Sequence, residues 1–593
     1  MRIKWFSLVR ITGLLLVLLY HFFKTKFTGG FIGVDIFFTF SGYLITALLI
    51  DEYNRDKKID LVGFYRRRFY RIVPPMVLMV LVVMPFTLLV RNDFRAMIGQ
   101  QIAATIGFMT NIYEIVTGGN YESQFIPHLF VHTWSLAIEV HFYILWGLLV
   151  WLLARQQFSP NKFRSILFIT SSAIFGLSFL SMFIGAFFVS NFSTLYFSSF
   201  SHSFPFFLGA VFATLTGIKT TTIRFKKNIQ LWSKQRVLLL IVVSIFFLLI
   251  LTFALDFNNI FTYLFGFVLA SLFASTMIYG TRILSDQLPD VEEPKILTYI
   301  ADISYGMYLF HWPFYIIFSQ LAPNAIAAFL TVLFSMFFST LSFYIIEPYI
   351  AGKKVIVLDL EVDVSSYRKY LLGVGSFLLL ILLIISFASP KIGTFESDLL
   401  VGSLKQSQTK IERTHTLAAG DAKALSDIEV IGDSVALRSS NMFESLMPGT
   451  QLDAAVSRNF TDAFTIFKGQ IKANNLSSTV VLAIGVNSLD NYKVDLQQFI
   501  DKLPKGHRLV IVSPYNSKND YQVSLVRDYE LTLSKKYKYV TIADWYKTAI
   551  ENSEIWIGSD GVHYNNQTTK GAKLYVNTIK KAVQKSAKLP SKK

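Results

Sequence analysis

Ser434, Asn487, Asp560 and His563 are the residues whose types and order in this chain can carry out acyl transfer. Ser434 stands in EVIGDSVAL directly after a strand-like run, Asn487 ends GVN after TVVLAIG, and Asp560 precedes His563 by three positions in DGVH. In a serine acyl-transfer site a hydroxyl attacks a carbonyl, an imidazole takes its proton, and an acid fixes the tautomer and stabilises the imidazolium. Ser434, His563 and Asp560 are expected in those three roles. The Ser434 backbone N–H, pointing into a helix start, and the Asn487 side-chain amide are expected to hold the oxyanion. Taken singly, GDS is a common turn, DGVH a surface loop and Asn487 an ordinary turn residue. Their order and their places after strands are what join them.

A second set lies in apolar sequence, where an ionisable side chain is costly and marks function. Arg10 and His21 are eleven positions apart, close to three helical turns, so they share a face roughly 16 Å apart along the axis. Arg10 is expected at the cytoplasmic edge with His21 well inside the membrane. Asp35, in the outer part of the next apolar run, lies at a depth where it can pair with His21. A basic loop ends in FYRRRFYRIVPP, where Arg66, Arg67, Arg68 and Arg71 precede a further run. Snorkelling anchors account for two of these four. A site for a polyphosphate such as coenzyme A accounts for the cluster, because guanidinium forks suit phosphate oxygens. In HTWSLAIEVHFY the spacing puts His132, Ser135 and Glu139 on one helical face, with His141 roughly opposite. A buried Glu139 needs a partner or a task.

These side chains require a bilayer and a sheet to position them. The 593 residues are 53% hydrophobic and 16% charged, with 56 phenylalanines, which excludes a wholly soluble protein and fits a polytopic membrane protein with an attached domain. Cysteine is absent, which excludes disulfides, thiol nucleophiles and thiolate metal sites, and no metal centre is expected. The net charge of +17 sits mainly in loops between apolar runs, which membrane orientation explains better than nucleic acid does. Eleven runs are taken as spans: near 9–23, 31–50, 73–90, 132–154, 165–189, 196–216, 237–255, 260–279, 303–321, 325–346 and 370–388. Basic loops around Arg55–Arg68, Arg155–Arg164 and Lys219–Arg236 alternate with loops near 190–195, 256–259 and 322–324 that have no basic residue. The positive-inside rule then puts the N-terminus in the cytoplasm, and an odd number of spans leaves residues after 389 outside. The basic start lacks a small-residue cleavage site and reads as a retained first span. Residues 96–131 are semi-polar and expected to form a re-entrant or surface hairpin.

Residues 390–426 are polar and rich in Ser, Thr and Lys, as a linker or loosely helical stalk would be. From 427 the runs IEVIG, TVVLAIG, RLVIVSP and YVTIADW alternate with amphipathic stretches, the rhythm of a parallel-sheet α/β domain of about 160 residues. The tail KKAVQKSAKLPSKK is basic and expected to fray.

Residues 427–585 resemble the SGNH hydrolase superfamily on Gly432-Asp433-Ser434, Gly485-Val486-Asn487 and Asp560-Gly561-Val562-His563. That superfamily's second block offers a glycine N–H to the oxyanion. Here DAAVSRN places Ser457 at the position, and its N–H can donate if the turn tolerates a Cβ. Arg458 beside it is either a substrate contact or part of a solvated helix start. Residues 5–350 resemble the acyltransferase-3 family of integral membrane acyltransferases. The matching pieces are Arg10 to His21, GGFIGVDIFFTFSGYLIT, Arg68-Phe69-Tyr70-Arg71, HTWSLAIEVHFY, SYGMYLFHWP and IEP. His141 departs from the amide more usual there, and His311 in SYGMYLFHWP is as well explained by helix packing as by catalysis.

The union of the two halves resembles the peptidoglycan O-acetyltransferases of Gram-positive bacteria. This resemblance implies a polytopic all-α membrane domain of about eleven spans, then an extracellular α/β/α SGNH-hydrolase-like domain with a parallel sheet. The expected divisions are a transmembrane acyltransferase domain at 1–350, a cytoplasmic loop and last helix at 351–389, an extracellular linker at 390–426, a catalytic domain at 427–585 and a basic tail at 586–593. It implies acetyl-CoA as the cytoplasmic donor, contacted by Arg10, Arg68, Arg71 and Glu139, with His21 handling the proton and no permanently bound cofactor. It implies the C6 hydroxyl of N-acetylmuramic acid in peptidoglycan as acceptor, with lysozyme resistance as the consequence. The alternatives are another surface polysaccharide such as teichoic acid or capsule, an acetyl esterase in the outer domain, or a transporter or receptor whose outer domain only binds glycan. How acetyl crosses the bilayer stays open between a carrier residue, a bound intermediate and movement of the coenzyme A arm.

Overall fold

Where no water is available, a backbone satisfies its N–H and C=O groups within the segment, so long apolar runs fold as helices. In the computed structural model, which describes residues 3–117, 127–189, 191–357, 360–418, 427–489, 491–517, 520–556, 559–565 and 569–593, each of the eleven apolar runs falls largely within a helix. Among the described residues eight helices are long and apolar enough to cross a membrane, and Phe6–Phe22 and Phe204–Thr216 are shorter apolar helices. The chain divides into two units, Met1–Val90 with Met97–Ser389, and Arg91–Ala96 with Pro390–Lys593.

Six helices of the first unit carry or adjoin its candidate residues: α1 Phe6–Phe22, α2 Gly33–Asp56, α3 Leu61–Phe86, α4 Trp134–Ala154, α5 Phe204–Thr216 and α6 Lys295–Phe318. Helix α3 starts earlier than the apolar run at 73, because the Asp60 side chain accepts from the Gly63 N–H at 2.9 Å and caps it. Arg66, Arg67, Arg68 and Arg71 therefore stand on helical turns and not in a loop, and the i, i+3 spacing puts Arg68 and Arg71 on one face. Helices α2 and α5 meet through glycine: a Cβ on Gly42 would lie 1.8 Å from the Phe206 carbonyl oxygen, and one on Gly209 would lie 1.9 Å from that of Thr39. Between 96 and 131 lie two short helices, Ile98–Ile106 and Thr110–Val116, while 118–126 fall outside the described residues.

In the second unit residues 394–418 form a helix, α7 Thr394–Ala418, within the stretch expected as a linker or loosely helical stalk. The sheet comprises β1 Ile428–Gly432, β2 Gln451–Ala454, β3 Thr479–Ala483, β4 Arg508–Val512 and β5 Val540–Ala543, all parallel, in the order β2-β1-β3-β4-β5. Every residue of β3 is buried, as a central strand covered on both faces must be. One face packs Ile431, Val480, Leu482 and Leu509 against Phe460, Phe467 and Phe499. Strand order reverses between β1 and β3, and the crevice beyond the carboxyl ends at such a point is where ligands bind. The basic tail is tied down and does not fray. Lys592 exchanges backbone hydrogen bonds with Gly506 and His507, at 2.8 and 2.9 Å, and its Nζ donates to the carbonyls of Ile500 and Asp501 at 2.7 and 3.0 Å.

Candidate functional site

Three adjacent strands end together and hand their following residues to one place. Gly432 of β1 stands in register with Ala454 of β2 and Ala483 of β3, and the Asp433 N–H donates to the Ala483 carbonyl at 3.0 Å. Ser434 opens a short helix, Ser434–Arg438, capped by the Asp433 carboxylate, which accepts from the Val435 N–H at 3.0 Å. Burial pushes the Asp433 carboxyl up to about 6, against the opposing pull of the Val435 N–H and the nearby His563.

The late block reaches this point from the loop before the helix Lys570–Ala587. Ser434 Oγ lies 2.7 Å from His563 Nε2, and His563 Nδ1 lies 2.6 Å from Asp560 Oδ2. Asp560 Oδ1 accepts the backbone N–H groups of Val562 and His563 at 2.9 and 2.7 Å. Burial alone would raise the Asp560 carboxyl, but His563 and these N–H donors outweigh it and hold it below its ordinary value. An ionised Asp560 accepts a hydrogen bond from Nδ1–H and so holds the proton on Nδ1, leaving Nε2 to accept from the serine hydroxyl. Gly561, at φ +91°, makes the reversal that lets Asp560 face the histidine three residues on.

Ser457 adopts φ +55° with its Cβ in place, the left-handed conformation that glycine usually supplies. Asn487 sits in the loop after β3, and its Nδ2 donates to the Arg458 carbonyl at 3.3 Å, which joins the second and third blocks. Arg458 fits neither expected role. It is buried, donating to the Asp453 carbonyl, to Asp453 Oδ1 at 2.8 Å and to the Gly432 carbonyl at 3.3 Å, so it braces the β2 turn against β1. Only the fold could assign this, since the sequence around it reads as a helix start. The Phe395 ring lies 4.8 Å from the His563 ring at 68°, a neighbour 168 positions away that carried no motif signal.

In the membrane unit Arg10, Arg68, Arg71 and Glu139 line one cavity of about 140 Å³ together with Ser41 and Tyr143. Glu139 accepts from the Ser41 and Tyr143 hydroxyls. The Arg68 guanidinium lies 5.8 Å from the rings of both Phe64 and Tyr143, and Arg71 pairs with Glu347 at 3.0 Å. A second cavity of about 480 Å³ shares Arg68 and Arg71 and adds Arg67, Lys353, Lys354 and Tyr344.

His21 is not among these lining residues. Its Nδ1 is 2.8 Å from His311 Nε2, and the His132 ring is 5.8 Å from that of His311. Asp35 does not pair with His21. It faces His202, whose Nε2 lies 3.1 Å from Asp35 Oδ1 with both side chains fully buried. The reason is helical phase: Asp35 and Gly42 are seven residues apart and share the face of α2 that α5 covers, and His202 immediately precedes α5. A partner 167 residues away is invisible to local spacing.

A family model described as "Acyltransferase domain" matches residues 3–347. The chain is 28% identical over 606 residues to O-acetyltransferase OatA of Staphylococcus aureus strain MRSA252, covering 96% of this chain and 94% of that one. It is likewise 28% identical over 608 residues to O-acetyltransferase OatA of S. aureus strain NCTC 8325 / PS 47, with the same coverage of 96% and 94%. A solved structure, the C-terminal catalytic domain of Streptococcus pneumoniae peptidoglycan O-acetyltransferase A with a methylsulfonyl adduct, is 39% identical over 28% of this chain and 98% of that one, with a TM-score of 0.28.

Proposed function

The chain belongs to the acyltransferase domain family, and from that membership we propose that it is a peptidoglycan O-acetyltransferase working on both sides of a membrane. It takes acetyl from cytoplasmic acetyl-CoA, moves it outward, and esterifies the C6 hydroxyl of N-acetylmuramic acid. The full-length likeness to O-acetyltransferases of S. aureus supports the reaction class, and the alternation of basic loops with loops that have no basic residue supports a cytoplasmic N-terminus and an extracellular second unit. The paired cavities support the donor side. Basic residues of the larger suit the phosphates of a nucleotide, and Arg68 and Arg71 stand where it meets the smaller, which suits an acyl-bearing arm. His21, with His311 beside it, handles the proton on the membrane side.

The observation that carries the outer reaction is the unbroken hydrogen-bond chain from Ser434 through His563 to Asp560. Ser434 Oγ adds to the acetyl carbonyl while His563 Nε2 takes its proton. The oxyanion is held by the Ser434 N–H and the Asn487 amide, with the Ser457 N–H as a further donor. Collapse of the adduct breaks the bond to the donor, which leaves with the proton from His563. The glycan hydroxyl then repeats the sequence, losing its proton to His563 as the serine ester breaks and Oγ is reprotonated.

The test is a Ser434→Ala chain expressed in a strain deleted for the native gene. Loss of O-acetyl groups from wall muramic acid, with the wild-type chain gaining 42 Da on the Ser434 peptide as an order-of-one-acetyl shift, is the expected result. Muramic acid acetylation that persists in the variant would overturn it, and acetyl found instead on teichoic acid or capsule would move the acceptor.

A further inference from the structure

Ser434 and His563 are each only 2% exposed, and part of their cover comes from outside the sheet and its loops. Helix α7 is bonded along the unit that contains them. Lys410 Nζ reaches Asp453 Oδ2 at 2.7 Å, Gln406 Oε1 accepts from the Ala454 N–H at 2.8 Å, and Lys405 Nζ donates to Asn441 Oδ1 at 2.6 Å. Gly402 passes so close that a Cβ there would come within 2.9 Å of the Leu437 carbonyl oxygen. At its start Asp93 Oδ1 accepts from the Phe395 N–H at 3.0 Å and the Thr394 hydroxyl at 2.7 Å. This course sets Phe395, 5% exposed, edge to face against the catalytic imidazole. The Arg438 guanidinium lies 5.0 Å from the Phe395 and Tyr564 ring centres, with Asp398 3.9 Å away.

We infer that Phe395 keeps water from the acyl-serine and so biases this site toward transfer and away from hydrolysis, an inference that rests on the Ser434 reading above. Once acylated, the site treats any arriving hydroxyl alike. A water oxygen adds to the acetyl carbon, its proton passes to His563 Nε2, the carbon–Oγ bond breaks, Ser434 Oγ takes that proton, and acetic acid leaves. A sugar hydroxyl undergoes the same bond changes and leaves as the ester. With the chemistry equal, access decides the product. The phenyl edge offers water no hydrogen-bond partner. A pyranose ring carries an apolar C–H face that can displace the phenyl ring and replace its contacts, whereas one water molecule lacks the binding energy to do so.

The experiment uses the full chain in detergent, loaded with p-nitrophenyl acetate with and without chitooligosaccharide. Nitrophenol release reports acylation, and the division of acetyl between acetate and sugar reports its fate. Phe395→Ala is expected to raise the ratio of hydrolysis to transfer about tenfold while acylation stays within about twofold. Phe395→Leu restores most of the wild-type ratio, and Asp398→Ala, which loosens the Arg438 contact, falls between. A wild-type ratio in both Phe395→Ala and Asp398→Ala overturns the inference. If Phe395→Ala does not fold, wild-type ratios in both Phe395→Leu and Asp398→Ala overturn it, and a raised ratio in Asp398→Ala upholds it. A nitrophenol burst that survives Ser434→Ala is a separate failure, because it removes the acyl-serine itself.

Discussion

The imidazole of His563 is held from both sides, by Ser434 on Nε2 and Asp560 on Nδ1, so its tautomer depends on a single carboxylate. Asp560→Asn keeps the shape and reverses that preference. We expect acylation by an activated ester to fall about 10³- to 10⁴-fold with the fold intact, measured by stopped-flow nitrophenol release and circular dichroism. Asp433 gives a pH signature. Its folded carboxyl is raised to about 6, so between the unfolded value and 6 the folded state binds more protons than the unfolded one. Stability contributed by this group is therefore present below the unfolded value and lost as pH rises toward 6. Asp433→Asn keeps a capping oxygen and removes the titration. The difference in melting temperature between variant and wild type should grow in the variant's favour from pH 4 to pH 6.5 as a rough window and then level off. At this scale the motif residues were readable, because strand-end placement and a three-residue spacing are local facts. Asp35 with His202 and Arg458 with Asp453 and Gly432 were not, because charge partners in a fold are chosen by helix phase and strand neighbours.

Among the elements, the α2–α5 contact leaves no room for a side chain at Gly42. Gly42→Ala is expected to push the helices apart and cost about 1–3 kcal/mol, seen as a lower midpoint for heat-induced aggregation of the detergent-solubilised chain. In the sheet unit Phe467 is fully buried between its helix and the strands, and Phe467→Ala should cost about 3–5 kcal/mol without altering the Ser434–His563–Asp560 hydrogen bonds. Strands and long helices were legible because period and apolarity are averaged over many residues. Helix starts were less so. The first turns of α3 are polar and basic, and only the cap at Asp60 shows that Arg66 to Arg71 are helical. Helix α7 is polar over most of its length, so composition suggested a linker or loosely helical stalk, and the side-chain bonds that tie it to Asp453, Ala454 and Asn441 left no local signal.

For the whole molecule, sidedness is the property on which the proposed reaction depends. The absence of cysteine makes it directly measurable, since a single introduced thiol has no competitor. A membrane-impermeant maleimide added to intact cells should label Tyr521→Cys, on an exposed position of the second unit, and spare Ile223→Cys, exposed beside a basic loop of the first. The reverse pattern would place the serine in the cytosol and end the two-sided scheme. Order of synthesis adds a further consequence of how the hydrogen-bond chain is assembled. Its hydroxyl and its imidazole are 129 residues apart, and in the proposed topology the second unit is threaded outward from its amino end. On that scheme a nascent chain would export the proposed nucleophile long before the group that activates it, and a half-translocated enzyme would stay chemically silent.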